Sequence, residues 1–552
     1  MSNVWECLNK STLIDLIGES TLDFAEEILP EIANEIGKDY SEFLNITNRQ
    51  SVLAELFEKS AMSGSITKKD FRKALLEQLS PEYTEKLLKE FNEFTEYDQL
   101  ENKLLSSAWI KSDLTVRFCK ALDISVDILP IKSEPIPDIE VIDKRPQVDA
   151  PFKQLKDYQF VTVAKAYKEL EKKLTRFMIQ MPTGSGKTRV AMEIVCNTLL
   201  ENKNKKTNIV WLANREELLE QAYVSFKEVW AHLSDHEIDL IRFFGKAKNN
   251  FNNSHKSSFA ICGLDKLLKE LETNPDSFDE FRENTRLMIF DEAHGIPAPT
   301  YKKAVVKLMG KRCSLVGLSA TPGRNDSDEQ SDLTNTFNNN LIPLECNGIN
   351  PIEYLKAKGV LSKTNVDLLK ITSKADYTKE ELLYLQNEQK LLPSMIKKLG
   401  KEKIRNIEII KTIMKYSDLG KKIIVFALDL DHSRKLNAIL NFIGIKSTHI
   451  DGETGNRKYI LDEFKNDKIQ VICNGDLLAV GFDSPKIDVV MICRPVGSMG
   501  LKLQMIGRGL RGPQMGGTEY CTIIDIKDSF GGIYEAENIY DEFSEYFTSI
   551  ES

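Results

Sequence analysis

Paired cysteines are the first thing this sequence lacks. Its nine cysteines are scattered from Cys7 to Cys521, and no two form a C-x-x-C pair. The six histidines show no ligand spacing either. A zinc-built fold is therefore not expected, and the cysteines read as buried, reduced thiols in a cytoplasmic protein. No apolar run approaches the length needed to span a bilayer. The opening Met1 to Glu6 carries no basic stretch followed by an apolar one, so secretion is not expected. Internal repeats and low-complexity tracts are also missing.

Basic charge is scarce in one part only. Residues 1–150 hold 29 acidic against 17 basic groups, a balance of −12, while the chain as a whole stands at −9 and the remainder therefore at +3. An acidic first part repels phosphate and is a poor non-specific grip on nucleic acid. The near-neutral remainder leaves room for a local basic channel.

With 552 residues the chain is too long for one core. Residues 1–128 read as a helical domain. Leu87, Leu88, Phe91 and Phe94 recur at helical spacing, with Glu90, Glu93 and Glu96 on a solvated face. Ser80-Pro81-Glu82 offers an N-cap serine with proline at the first helical position. Five prolines between Pro130 and Pro151 mark residues 129–151 as an extended linker. From about 152 the texture alternates between helices and short apolar runs such as 208–212, 287–290 and 422–426, the pattern of buried parallel strands. The expected class is α/β: a first parallel-sheet lobe over 152–345, a connecting segment with a charged helix over 346–420, a second lobe over 421–530 and an acidic C-terminal helix over 531–552.

The chemistry sits where such runs end. Phosphate cradling needs backbone N–H groups free of side chains and a helix N-terminus behind them. Thr183-Gly184-Ser185-Gly186 supplies the loop, Lys187 a point charge for β- and γ-phosphates, and Thr188 a hydroxyl for Mg²⁺. The usual first glycine is replaced by Met181. Asp291 closes the run 287–290 and can hold the metal; Glu292 can deprotonate the attacking water; His294 can couple the site to a second lobe. Arg508 and Arg511, three apart, would share one face of a helix and bring positive charge to the γ-phosphate from far along the chain. Gln159 can present a donor and an acceptor to an adenine edge, with Tyr158 beside it.

These residues, from about Leu155 to Asp525, resemble superfamily 2 helicases of the DEAH type, in which the two lobes are RecA-like. Within that group the chain is most similar to the RadD-like and type I/III restriction-subunit branch. The carrying stretches include Gly481-Phe482-Asp483-Ser484-Pro485, Arg494-Pro495 and Gln504 to Arg511. The resemblance implies ATP and Mg²⁺ as cofactors. It implies adenine reading by Gln159, a sensor and arginine-finger role for Gln504, Arg508 and Arg511, and a nucleotide-side loop at Gly481 and Asp483. Coupling falls to Ser319 and Thr321, and backbone-phosphate contacts to Asn214, Arg215, Gln221 and Gly263. Two departures stand out. Ala479-Val480 replaces the hydroxyl residue often found before the second-lobe glycine, and the residues that follow Asp525 hold no cysteine cluster of the kind RadD-like proteins tend to carry.

The resulting expectation is an ATP-dependent helicase or translocase on nucleic acid, with DNA as the track, in repair, restriction or anti-phage defence. The alternative is an ATP-gated clamp that recruits a protein partner through the N-terminal domain. That acidic domain could also dock into the basic channel and inhibit the motor. No membrane contact and no zinc are expected.

Overall fold

The computed structural model describes residues 4–36, 53–54, 56–58, 66, 68–126, 129, 137–143, 152–172, 174–245, 247, 256–274, 278–293, 299–320, 335–372, 375–388, 391–452, 454, 457–475, 478, 486–496 and 499–529. His294, Thr321, Gly481, Asp483 and the expected helix over 531–552 lie outside them.

Two sheets organise residues 137–529. The first runs β1 (Ile139–Ile142), β4 (Ile238–Phe243), β5 (Ser258–Gly263), β3 (Asn208–Ala213), β6 (Thr285–Phe290), β7 (Ser314–Ser319), β2 (Arg176–Gln180), β8 (Leu341–Pro343). The second runs β11 (Ser447–Ile450), β12 (Val471–Asn474), β10 (Ile423–Phe426), β13 (Val489–Ile492), β14 (Tyr520–Ser529), β9 (Lys363–Thr372). Every pairing in both is parallel except β1 on β4. Helices cover both faces, which is why β3 and β10 are buried along their whole length and read as unbroken apolar runs.

Two segments expected to be connectors are sheet strands. Within the proline-marked stretch, β1 pairs with β4 as an antiparallel edge strand, Ile139 opposite Ile241 and Ile142 opposite Ile238. It lies between the prolines, where backbone N–H groups are free to pair. Within the stretch expected to join the lobes, β9 pairs with β14 over ten residues, Lys363 to Thr372, so lobe 2 begins well before residue 421. Polar residues (Lys363, Thr364, Asn365, Asp367 and Lys370) interrupt any apolar run along it, as suits an edge, and that hid it among the charged residues. The charged stretch after it is three helices, Lys379–Glu388, Pro393–Gly400 and Lys403–Asp418.

The N-terminal region is helical, with Ser80 accepting from Tyr83 N at the start of the helix Pro81–Glu90. That helix stops at Glu90, so Phe91 and Phe94 belong to the turn behind it. Its helix Glu19–Ile36 packs on Lys403–Asp418 and Leu430–Phe442 of lobe 2. Period-two alternation explains how one strand serves two cores. Ile423 and Val425 face a core continuous with Trp5, Ile28 and Phe57 of the N-terminal helices. Ile424 and Phe426 face the other core, which continues into lobe 1. The acidic domain is thus built onto lobe 2 through apolar packing.

Candidate nucleotide site between two lobes

β2 ends at Gln180, and the loop after it enters the helix Lys187–Glu201 through Gly186 at φ 88°, ψ 37°. Gly184 has φ +83°. Both values lie in the left-handed region that favours glycine. A side chain on Gly186 would also run into the Gln159 amide. This loop-and-helix start presents N–H groups and a helix dipole to an anion.

The loop is held from below. Tyr158 Oη donates to Ser185 O at 2.8 Å, and Gln159 Nε2 donates to the same carbonyl at 3.0 Å. Gln159 Oε1 accepts from Lys156 N at 2.9 Å. Both ends of the amide expected to read adenine are therefore engaged with protein, so base reading would require exchanging these bonds. Ser185 Oγ donates to Pro182 O at 2.6 Å.

Asp291 follows β6 and is buried, and its carboxylate accepts from Glu292 N at 3.0 Å. Glu292 has φ +53°, an uncommon conformation for a glutamate. Four charged groups converge here. Burial pushes the Asp291 carboxyl up to about 7; the Glu292 carboxylate adds to the rise and the Lys187 ammonium opposes it. Packing lowers the Lys187 pKa although its side chain stays partly accessible; Glu292 and Asp291 pull it back up, and Arg508 pushes it down. Burial brings Arg508 down to about 10, against Glu292, and brings Arg511 to about 10 as well. Arg508 of lobe 2 therefore feels the Glu292 carboxylate of lobe 1. A buried carboxylate beside a hydroxyl-bearing phosphate loop fits a divalent cation held by Asp291 and Thr188.

The arginines do not share a helix face. The helix Met499–Gly507 ends just before Arg508, and Arg511 sits in an antiparallel bridge to Leu361. Gly507 and Gly509 break the helical run that the spacing suggested. Gln504, on that helix, is buried. A Cβ on Gly507 would overlap Thr183, so the two lobes meet here in direct contact. Lys156 Nζ donates to Gln514 Oε1 at 3.0 Å across the same seam. Ser319 is buried at the end of β7, and its carbonyl accepts from Met181 N at 3.1 Å, tying that strand to the phosphate loop.

The expected strand-contact residues gather at the carboxyl ends of β3 and β5, which neighbour each other in the sheet. Asn214 is exposed, Arg215 precedes the helix Glu216–Leu233, and Gln221 lies one turn in, partly buried. Gly263 ends β5, where a Cβ would press on Phe244 at 3.2 Å. Glu217 on the same helix reaches lobe 2 and pairs with Arg457. Gly507, Glu217, Arg457, Leu361 and Ser362 are contact residues that sequence reasoning did not single out. Gly507 alone had a signal, as a glycine inside the arginine motif.

Residues 152–324 match the type III restriction enzyme res-subunit family, and 405–512 match the helicase conserved C-terminal domain. IRC3 of Saccharomyces cerevisiae, named as an ATP-dependent helicase, is 27% identical over 384 residues, covering 67% of this chain and 51% of that protein. A 51.5 kDa protein of a Lactococcus phage is 28% identical over 337 residues, covering 60% of this chain and 62% of its own length. The chain thus spans about half to three fifths of these relatives. The helicase MrfA, solved bound to DNA, superposes with a TM-score of 0.51 at 14% identity, covering 73% of this chain and 56% of that one; the likeness is one of fold. No helix among the described residues is long and apolar enough to cross a membrane.

Proposed function

We infer that this chain, a superfamily 2 helicase-type ATPase with a res-subunit domain and a helicase C-terminal domain, is an ATP-driven motor on nucleic acid, with DNA as its track. The observation that carries this reading is the convergence of Lys187, Asp291 and Glu292 of lobe 1 with Arg508 of lobe 2. A nucleotide held there touches both lobes, so its γ-phosphate can favour closure and its loss can favour opening.

Each residue has a task. The 183–186 loop and Lys187 hold the β- and γ-phosphates. Asp291 and Thr188 would hold Mg²⁺, which would neutralise charge on those phosphates. Glu292 orients the attacking water and accepts its proton. Arg508 and Arg511 meet the charge that develops on the transferred phosphoryl group. Asn214, Arg215, Gln221 and Gly263 grip one strand through its backbone, which carries no sequence information.

A DNA track is supported by relatives such as the EcoAI type I restriction subunit of Escherichia coli, 25% identical over 392 residues. A place in restriction, repair or anti-phage defence accords with it. The test is ATP hydrolysis alone and with single-stranded, duplex and forked DNA and with RNA, using Lys187→Ala as the blank. Stimulation by DNA supports the reading. Stimulation by RNA alone replaces the track, and stimulation by neither removes the motor.

A further inference from the structure

The connector between the lobes does more than join them. Gly359 to Ser362 lies along the arginine loop: Gly512 N donates to Val360 O at 2.9 Å, Ser362 N to Leu510 O at 3.0 Å and Gln514 N to Gly359 O at 3.0 Å. Ser362 is fully buried, and its hydroxyl lies 2.7 Å from both Arg511 O and Thr518 O. One hydroxyl carries one proton, so it serves either carbonyl and staples the two turns of the loop together. On the opposite side of the strap, Leu361 is buried and its Cδ2 stands 3.1 Å from where a Cβ on Gly184 would sit.

We propose that this strap positions the arginine finger: Ser362 fixes the backbone of Arg511, and Leu361 registers that backbone against the phosphate loop at Gly184. The proposal rests on the ATPase reading above. The reach of the Arg511 guanidinium toward a phosphoryl group is set by where its Cα is held. The strap sets that point from residues 149 positions earlier in the chain, at the boundary of both lobes. Close apolar contact with Gly184 means that a shift of the phosphate loop reaches Arg511 through two rigid steps, and displacement of a catalytic group by about 1 Å can cost about a hundredfold.

The test is steady-state ATP hydrolysis by the full chain carrying Ser362→Ala, Arg511→Ala, or both, with the thermal midpoint recorded for each. The expected result is a fall in kcat of about tenfold for Ser362→Ala with KM for ATP within about twofold, because ground-state binding does not use Arg511. The double variant should be no slower than Arg511→Ala alone, since the staple has no purpose without the finger. Should Ser362→Ala fail to fold, Ser362→Cys keeps the volume and removes the strong donor, and the same cycle is read with it. A kcat within about twofold of the parent, or a double variant slower by the full Ser362→Ala factor, overturns the proposal. An inactive parent chain sinks the ATPase reading first, and that failure shows without any substitution.

Discussion

Arg457 Nη1 lies 2.9 Å from Glu217 Oε1, an ion pair between residues 240 apart in sequence that belong to different lobes. Arg457 Nη2 also donates to Gly452 O at 2.7 Å, which aims the guanidinium. Among the described residues the lobes thus meet both at the candidate nucleotide site, where Thr183 and Gly507 touch, and beside the expected strand contacts, through this pair. Both side chains are partly exposed, at 31% and 21%, so the pair is worth at most about 1 kcal/mol. Glu217→Arg or Arg457→Glu should lower nucleic-acid-stimulated hydrolysis by up to about fivefold, and the double swap should recover most of it. Equal losses in the swap and the singles would show that the pair is not a closure contact.

At the other contact, space decides. Gly507→Ala places a methyl against Thr183, and overpacking of this kind costs about 1–3 kcal/mol. Turnover should fall by about tenfold or more. Thr183→Ser removes the opposing methyl and should restore part of the rate in the double variant, as measured by kcat. Lys187→Ala should abolish turnover in either background.

Gln159 tests whether the amide serves the base or the loop. Its two polar ends bond Lys156 N and Ser185 O. Gln159→Ala should therefore raise KM for ATP and for GTP alike, by about thirtyfold, in line with about 1 kcal/mol for each of the two hydrogen bonds lost. A loss confined to ATP would mean that the amide leaves the loop to read adenine.

Removing the acidic domain should cost stability. Phe24 is buried against His432, ring centroids 6.4 Å apart, with the Lys435 ammonium 5.9 Å from its ring. Phe24→Ala should lower stability by about 3–5 kcal/mol. Deleting residues 1–128 should expose lobe 2's apolar face and make the remainder aggregate. A well-folded, soluble truncation with raised basal hydrolysis would instead favour an inhibitory domain.

Stability should also fall with acid. Burial holds His432 well below the ordinary imidazole range, and Arg405 and Lys435 add to that. Leu428 N donates to its Nδ1 at 3.3 Å, and its Nε2 lies 3.0 Å from Asn406 Oδ1, the pattern of a neutral ring with the proton on Nε2. The unfolded chain takes a proton near pH 6.5 and the native chain does not. The stabilising difference is present above that pH and is lost as pH drops below it, by up to about 1.4 kcal/mol per unit. Denaturant midpoints at pH 7.5 and 5.5 should differ less in His432→Gln than in the parent.

Sequence alone carried the chemistry that depends on short spacing. The phosphate loop is legible because glycines and lysine must be adjacent to act. The Asp291–Glu292 pair is legible because it closes a strand, and the parallel sheets because strands covered on both faces read as apolar runs. Edge strands were not legible: β1 sits among prolines and β9 is interrupted by polar residues, and both are defined by a neighbour's free edge. The arginine motif was recognised, yet its geometry was not, since Gly507 and Gly509 end the helix and hand Arg511 to the Leu361 bridge.

What tertiary structure decided is every relation between distant residues. That Arg508 faces Glu292, that Gly507 seats on Thr183 and that Glu217 meets Arg457 follow from packing two lobes together. That the acidic domain belongs to lobe 2 follows from the outward set of β10 side chains needing a cover. Local pattern encodes what a residue can do, whereas burial and contact across the chain set which partner it does it with.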